Sequence, residues 1–297
     1  MRNAKRPMTP QLQDLFRRQE RGQGTFENYT AWNRLRRSDP PSAGRSHLQP
    51  WNGRQVDLLS DLQLIGFLFA TQLPDLVDLR EQFPLALSAS RHELSHYDVR
   101  HSTKEFPGTL ELARRLRIEH PRVGDNRAGF EPKVLATGQL LTLRSLDGSL
   151  RMLAVSLRYR APKRKRGRLG IERAYWEARN IPWLLITTRE FDPAVALTMR
   201  RNACWALGDS VDEASIAAAG AAAAETRGRP LTATLQCLER KLGGLDVAQR
   251  ALWQAIWHGR LPVDLSRGWR PHEPLGLVDD ASFRACNPIV SGRSAWN

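Results

Sequence analysis

Cysteine is scarce: Cys204, Cys237 and Cys286 are the only three. They lie far apart, are odd in number and have no metal-ligand spacing. That excludes a disulfide framework and a cysteine-based zinc module, and they read as reduced thiols in a cytoplasmic setting. Long apolar runs are missing too. No stretch approaches the roughly 18 consecutive apolar residues of a spanning helix. The basic opening, MRNAKRPMTPQLQD, is not followed by the apolar segment of a signal peptide, so no membrane partner is expected. Acidic residues are in short supply, with 31 Asp and Glu against 45 Lys and Arg, a net charge of +14 and a pI near 10.7. Such an excess points to a polyanionic partner, nucleic acid being the commonest.

What is present is a globular composition: 297 residues, 41% hydrophobic and 26% charged. That length is enough for one large or two ordinary domains, each with its own core. Residues 1–56 hold 11 basic residues among turn formers (RRQERGQG, RRSDPPSAGRSH) and read as a loosely packed arm. From Asp57 the texture changes. LLSDLQLIGFLFATQL reads as an apolar helix, with Ser60 and Gln63 spaced as a capping box. LVDLREQFPL (76–85) reads as extended, and TLELARRLRIEH (109–120) as a short amphipathic helix.

A β region follows. PKVLATG and QLLTLRSL are strand-like, and Asp147-Gly148 is a hairpin turn after which LRMLAVSLRYR pairs back. Alternation sets Leu153, Val155 and Leu157 on one face and Ala154, Ser156 and Arg158 on the other. Seven of the eleven residues from Arg158 to Arg168 are basic. GIERAYWEARN then reads as a helix and IPWLLITT as a strand buried at a sheet centre. This order predicts a mixed α/β core with helices on its faces. ASIAAAGAAAAETRGRP, LTATLQCLERKL and DVAQRALWQAIWHG predict a helical C-terminal part. RLPVDLSRGWRPHEPLGLVDD (260–280) reads as a hairpin, so a winged-helix module is the expectation there.

A charged strand face in such a core invites comparison with metal-dependent nucleases of the restriction-enzyme type. These need acidic groups to hold Mg²⁺ and a Lys to steady the developing charge. Here the second strand offers Ser156-Leu157-Arg158. Serine is a poor magnesium ligand and arginine does not give up its proton.

The segments RGQGTFENYTAW, SAGRSH, LLSDLQL, LREQFPL, IEHP and IERAYWEARNIPWLLITT occur in that order between about residue 20 and about residue 205. In order and spacing they resemble the TnsA family, the endonuclease subunits of heteromeric cut-and-paste transposases. The resemblance implies a restriction-endonuclease-like core followed by a helical DNA-binding domain, and Mg²⁺-dependent cleavage of one strand at each transposon end. It also implies two partners: a DDE transposase subunit, and an AAA+ ATPase docked on the C-terminal domain.

Carried over by residue, the family's first catalytic Glu falls at Gln63 and its catalytic Asp at Lys133, read as opening the core strand in FEPKVL. Its Gln and Lys fall at Ser156 and Arg158, and its helix Glu at Glu172. Only Glu172 keeps the family's residue type.

The expectations are therefore these: a basic arm over 1–56, an endonuclease-like core over 57–188, and a helical DNA- or partner-binding domain over 189–297. No cofactor is expected, although the family uses Mg²⁺, and no catalytic residue is intact. Double-stranded DNA is met by Arg158, Arg160, Lys163, Arg164, Lys165, Arg166 and Arg168. Glu172 is read as a helix-surface carboxylate paired with Arg173 or Arg168. Trp176 and Trp183 are read as core. The scattered histidines His47, His92, His96, His101 and His120 are read as surface or capping residues. Two alternatives are an active endonuclease with relocated carboxylates (Glu131, Asp125 or Glu172) and a stand-alone DNA-binding regulator.

Overall fold

The structure, a computed structural model, describes residues 8–36, 39, 44–101, 103–125, 129–160 and 167–296. The chain divides into two compact units. The first draws on Met1–Leu64, Asp75–Thr187 and Ala295–Asn297, the second on Ile65–Pro74 and Thr188–Ser294.

In the first unit, α1 (Pro10–Arg18) is capped by Thr9, whose hydroxyl accepts from Leu12 N, with proline at the first helical position. A hairpin of β1 (His47–Trp51) and β2 (Arg54–Leu58) turns at Asn52-Gly53, both at positive φ. Asn-Gly suits that turn because both central residues must enter the left-handed region. The helix α2 (Asp61–Thr71) lies within LLSDLQLIGFLFATQL, begins just after Ser60 with the expected capping box, and from Ile65 on belongs to the second unit. Gln63 N donates to Ser60 Oγ at 3.2 Å, and Leu59 N donates to Gln63 Oε1 at 2.7 Å.

The strand β3 (Leu76–Pro84) follows, then the short pair β4 (Ser90–Arg91) and β5 (Glu105–Phe106), and helix α3 (Thr109–Arg115). Strands β6 (Arg122–Asp125) and β7 (Gly129–Pro132) form a separate two-stranded hairpin. Next come β8 (Ala136–Arg144), β9 (Leu150–Leu157), α4 (Arg168–Ala178) and β10 (Trp183–Ile186).

The central sheet has the order β10-β9-β8-β3. β3 and β8, and β8 and β9, pair antiparallel, whereas β9 and β10 pair parallel across the α4 crossover. This is the mixed sheet of a restriction-endonuclease-like core. The β8–β9 turn falls at Asp147-Gly148 as the sequence predicts, with Gly148 at φ 83°. PKVLATG and QLLTLRSL are not two strands: residues 136–144 form one. Leu140, Met152 and Ala154 pack with Ile171, Tyr175 and Trp176 of α4 in the core of this unit. Asp147, at the tip, is exposed and off the core.

The described part of the expected arm is not loosely packed. Phe16, Trp32 and Ala136 form a small apolar cluster. Gln13 donates to Pro132 O at 3.0 Å and accepts from Val134 N at 2.8 Å. The buried pair Arg21–Asp39 closes at 2.6 Å, and the Arg21 guanidinium lies 3.6 Å from the Phe16 ring centroid. A buried arginine is tolerated there because its charge is matched and its flat face stacks on an aromatic ring.

In the second unit, α5 (Pro193–Ala206), α6 (Glu213–Glu225), α7 (Leu231–Leu242), α8 (Leu245–Trp257) and α9 (Asp280–Cys286) give the expected helical character. Alanines 219, 222 and 223 of α6 are buried, which lets α6 approach α8 closely. No two-stranded wing forms among the described residues. Residues 260–280 make a loop clipped by single bridges, Val263↔Leu277 and Pro230↔Pro274. Pro262, Pro271 and Pro274 remove the amide donors a ladder would need. No helix among the described residues is long and apolar enough to cross a membrane.

Four histidines carry a consequence for stability. Burial lowers the pKa of His92, His96, His120 and His258 from the ordinary value, against weaker raising contributions. His92 has a fixed role: Nδ1 accepts from Leu94 N at 3.1 Å and Nε2 meets Arg179 O at 3.0 Å. That pairing needs the neutral ring. With the folded pKa below the unfolded one, the unfolded chain binds more protons. Stability should therefore be full above about pH 6.5, the unfolded histidine value, and fall as the pH drops through it toward the folded values. Urea midpoints at pH 7.5 and 5.5 check this. His92→Asn, which keeps an acceptor and does not titrate, should flatten the dependence, whereas a midpoint that rises on acidification would refute it.

Candidate nucleic-acid interface

The strand β9 runs out beside the start of α4, and the residues gathered there decide the chemistry. Gly138 lets β8 and β9 approach: a Cβ at that position would lie 3.0 Å from Val155 O. Past the end of β9, Arg158 N still donates to Ile186 O at 3.0 Å, so the chain is held against β10 up to Arg158.

Ser156 turns inward. Its hydroxyl hydrogen-bonds Glu172 Oε1 and accepts from Trp183 Nε1 at 3.2 Å. Thr137 Oγ1 donates to the same Glu172 oxygen at 2.8 Å and accepts from Trp176 Nε1 at 2.8 Å. Thr137, Ser156, Glu172 and Trp176 are fully buried. One carboxylate oxygen thus ties two strands and two indoles to α4. The surface reading of Glu172 is corrected: Arg173 pairs instead with Glu177, and Glu172 points into the sheet. Its second oxygen, Oε2, has no hydrogen-bond partner among the described residues. Trp176 is core as expected, and Trp183 is partly buried through this same network.

Arg168 lies close enough to that carboxylate for the two charges to interact, and Lys133 and Arg158 lie near Arg168. Arg168 opens α4 and donates from Nη2 to Ala136 O at 3.1 Å. Burial of its guanidinium and the charge of Arg158 press its pKa down, with Glu172 opposing. The residue as a whole is nevertheless exposed, so water reaches it and it keeps its charge. Lys133 is half-buried, and burial followed by the charge of Arg168 lowers its pKa. Arg158 is half-buried and bonds Leu157 O through Nη1 at 2.8 Å. None of the three forms an ion pair with a carboxylate among the described residues. Arg160 is exposed. Lys163, Arg164, Lys165 and Arg166 lie outside the described residues.

Lys133 does not open the core strand. It sits in the connection between β7 and β8, where its N–H donates to Pro121 O at 2.8 Å; the core strand begins at Ala136. The strand residue that meets Gln63 is Gln139, whose Nε2 donates to Gln63 O at 3.1 Å. Gln139 is fully buried, and its Oε1 lacks a partner. The sequence reading passed over Gln139 and Thr137. The alternation of TGQL along one continuous strand is the signal that could have found them, once 136–144 is read as a unit.

A magnesium ion does not fit these donors. Mg²⁺ asks for oxygens in octahedral array, one or two of them carboxylate. The Gln63 amide oxygen is taken by Leu59 N, the Ser156 hydroxyl by Glu172 and Trp183, and Glu172 has one oxygen left, with the Arg168 charge acting on that carboxylate. No group of three or more His, Cys, Asp or Glu with metal-binding geometry occurs among the described residues. Of the candidates for relocation, Glu131 is exposed on the β6–β7 hairpin opposite Val123, while Glu172 is fully buried. Asp125 ends β6, paired with Gly129.

Charge is distributed unevenly. The first unit holds 32 Lys and Arg against 19 Asp and Glu, the second 13 against 12. Nearly the whole excess belongs to the unit that carries the cation cluster. The chain matches no family model. It is similar to the transposon Tn7 transposition protein TnsA of Escherichia coli, at 30% identity over 200 residues, 66% of this chain and 62% of that protein. The match thus spans a little over three fifths of that relative, and the chain is TnsA-like in sequence.

Proposed function

We propose that this chain is a TnsA-like subunit of a DNA transposition complex that binds duplex DNA through its first unit and does not itself cut a strand. The observation that carries the reading is the cluster of Lys133, Arg158 and Arg168. None of the three forms an ion pair among the described residues, and only Arg168 feels a carboxylate, the buried Glu172, at the place where the resemblance to the TnsA family implies a metal site. Gln63 and Gln139 supply amides where carboxylates would be needed. Phosphate contacts by such a surface position the protein on DNA without reading bases. Strand cleavage would fall to a DDE transposase subunit. The second unit, close to neutral, suits contact with a protein, an AAA+ ATPase by the same resemblance, better than contact with a polyanion.

Binding to duplex DNA should be strongly salt-dependent. Replacing Lys163, Arg164, Lys165 and Arg166 by alanine should flatten the slope of log K against log[salt] by up to roughly 3 to 4, at about 0.9 per lost phosphate contact. Fluorescence anisotropy titrations from low to moderate salt measure it. An unchanged slope would mean that this run faces away from the DNA.

A further inference from the structure

We propose that a cavity of about 840 Å³ in the first unit binds a nucleotide, with the base against the buried carboxylate of Glu93 and the phosphate at a mouth carrying Arg17 and Arg91. Its volume falls within the range of about 300 to 1,000 Å³ usual for small-molecule sites. Gln63, Gln139, Ser156, Arg158 and Glu172 do not line it, so it is distinct from the nuclease-like site.

The floor is built. Glu93 opens the short 3₁₀ turn Glu93–His96 after β4 and is 4% exposed. Its Oε1 accepts from the Tyr175 hydroxyl at 2.6 Å and from Arg179 Nε at 3.0 Å. Arg179 is pinned in turn. Its Nη2 donates to Ser90 Oγ at 2.9 Å, its Nη1 donates to Pro107 O at 3.0 Å, and its guanidinium lies 3.5 Å from the Tyr175 ring centroid. The carboxylate is thereby fixed in place, and its other oxygen, Oε2, has no hydrogen-bond partner among the described residues. Glu93, Ser90 and Tyr175 all line the cavity. A bare buried acceptor is costly, and a donor brought by a ligand recovers that cost. Arg179 already matches the charge of Glu93, so the donor that suits Oε2 is uncharged; a second cation would crowd two like charges onto one buried carboxylate. The N–H groups of a nucleobase are donors of that kind.

The mouth has the opposite character. Arg17 and Arg91 are exposed where they line the cavity, and Ser88 beside them is exposed too. Arg91 forms no ion pair among the described residues, while Arg17 meets Asp14 at 3.0 Å. Against the two arginines stands the exposed carboxylate of Glu20. A guanidinium fork meets two phosphate oxygens at once. Between mouth and floor, Phe83, Leu85 and Leu87 give an apolar wall. An acceptor inside and arginines outside match the polarity of a nucleotide, whose base carries N–H donors at one end and whose phosphate is anionic at the other. A ligand anionic throughout would meet Glu93, and a cationic one would meet the arginines.

A free nucleotide and a nucleotide extruded from DNA present the same chemistry, and two experiments on the full chain separate them. In the first, equilibrium dialysis compares deoxyguanosine 5′-monophosphate with deoxyguanosine and with deoxyribose 5-phosphate. The nucleotide should bind at least roughly tenfold tighter than either fragment, because each fragment lacks one end of the ligand. In the second, anisotropy compares duplexes of one sequence carrying either one extrahelical guanine or one extrahelical abasic site. A preference of roughly tenfold for the guanine assigns the cavity to DNA. Equal affinities, with the mononucleotide still bound, assign it to the free nucleotide. Ser88→Trp, which narrows the mouth from an exposed position, and Arg91→Gln should each weaken mononucleotide binding about tenfold while the urea midpoint stays at the parent value. A mononucleotide bound no tighter than its two fragments would overturn the proposal, as would parent affinity in both variants. The dialysis contains no duplex, so its failure leaves the duplex-binding reading standing, and a failure of duplex binding leaves the nucleotide cavity standing.

Discussion

Glu172→Ala should lower the unfolding free energy by about 3 kcal/mol, the cost of leaving two buried hydroxyl donors without an acceptor and a cavity beneath α4. Thr137 and Ser156 both lose their shared acceptor, and neither reaches water. Trp176 and Trp183 keep their hydroxyl partners, so the damage centres on the carboxylate. Glu172→Gln retains a carbonyl oxygen of nearly the same shape and should recover most of the loss. Urea titrations followed by circular dichroism give the midpoints. The same variants separate a structural role from a metal-binding one. A structural Glu172 tolerates Gln, with stability tracking the acceptor and duplex affinity staying close to the parent value. If Glu172→Ala unfolded at the parent midpoint, the buried network would not be holding the sheet to the helix.

Much of the first unit was legible from residue order. The β8–β9 hairpin followed from Asp147-Gly148 and the alternation on both sides of it, and the β9–α4–β10 crossover from an amphipathic segment between apolar runs. The strand β9 is buried on both faces over its last six residues, which a half-buried alternation does not anticipate. Asn52-Gly53 is an equally strong hairpin signal, yet it lay inside a stretch read by composition as an arm. Local turn chemistry outweighed the density of arginine there, because Arg21 and Arg54 are not solvated: each is held by a buried carboxylate, Asp39 and Glu81.

The site was less legible, for two physical reasons. Lys133 was placed by taking FEPKVL as the opening of the core strand in the family comparison. Residues 129–132 belong to another sheet, the core strand opens at Ala136, and the strand residue that meets Gln63 is Gln139. The burial of Glu172 is set by Thr137 and Ser156, 35 and 16 residues away in sequence. A helix carboxylate followed by Arg173 looks like a surface pair until the sheet is in place. Arg158 and Arg168 were named from the run of charge alone, whereas the nearness of Lys133 to Arg168 depends on the fold.

In the function proposed above, the nuclease-like site meets phosphate without a metal. The most direct measurement combines cleavage and binding in one preparation of the unmodified protein. Supercoiled plasmid incubated with the protein and Mg²⁺ or Mn²⁺ should stay supercoiled, and duplex affinity should be the same in EDTA as in Mg²⁺ once ionic strength is matched. The expected gap from an active nuclease is several orders of magnitude. A metal site that generates hydroxide and steadies the phosphate acts as a unit, and its parts do not contribute separately. For the same reason Gln63→Glu or Gln139→Asp alone should restore nothing measurable. Metal-dependent nicking by the unmodified protein, abolished by Glu131→Gln or by Glu172→Gln, would contradict the claim and place a working metal site among the carboxylates.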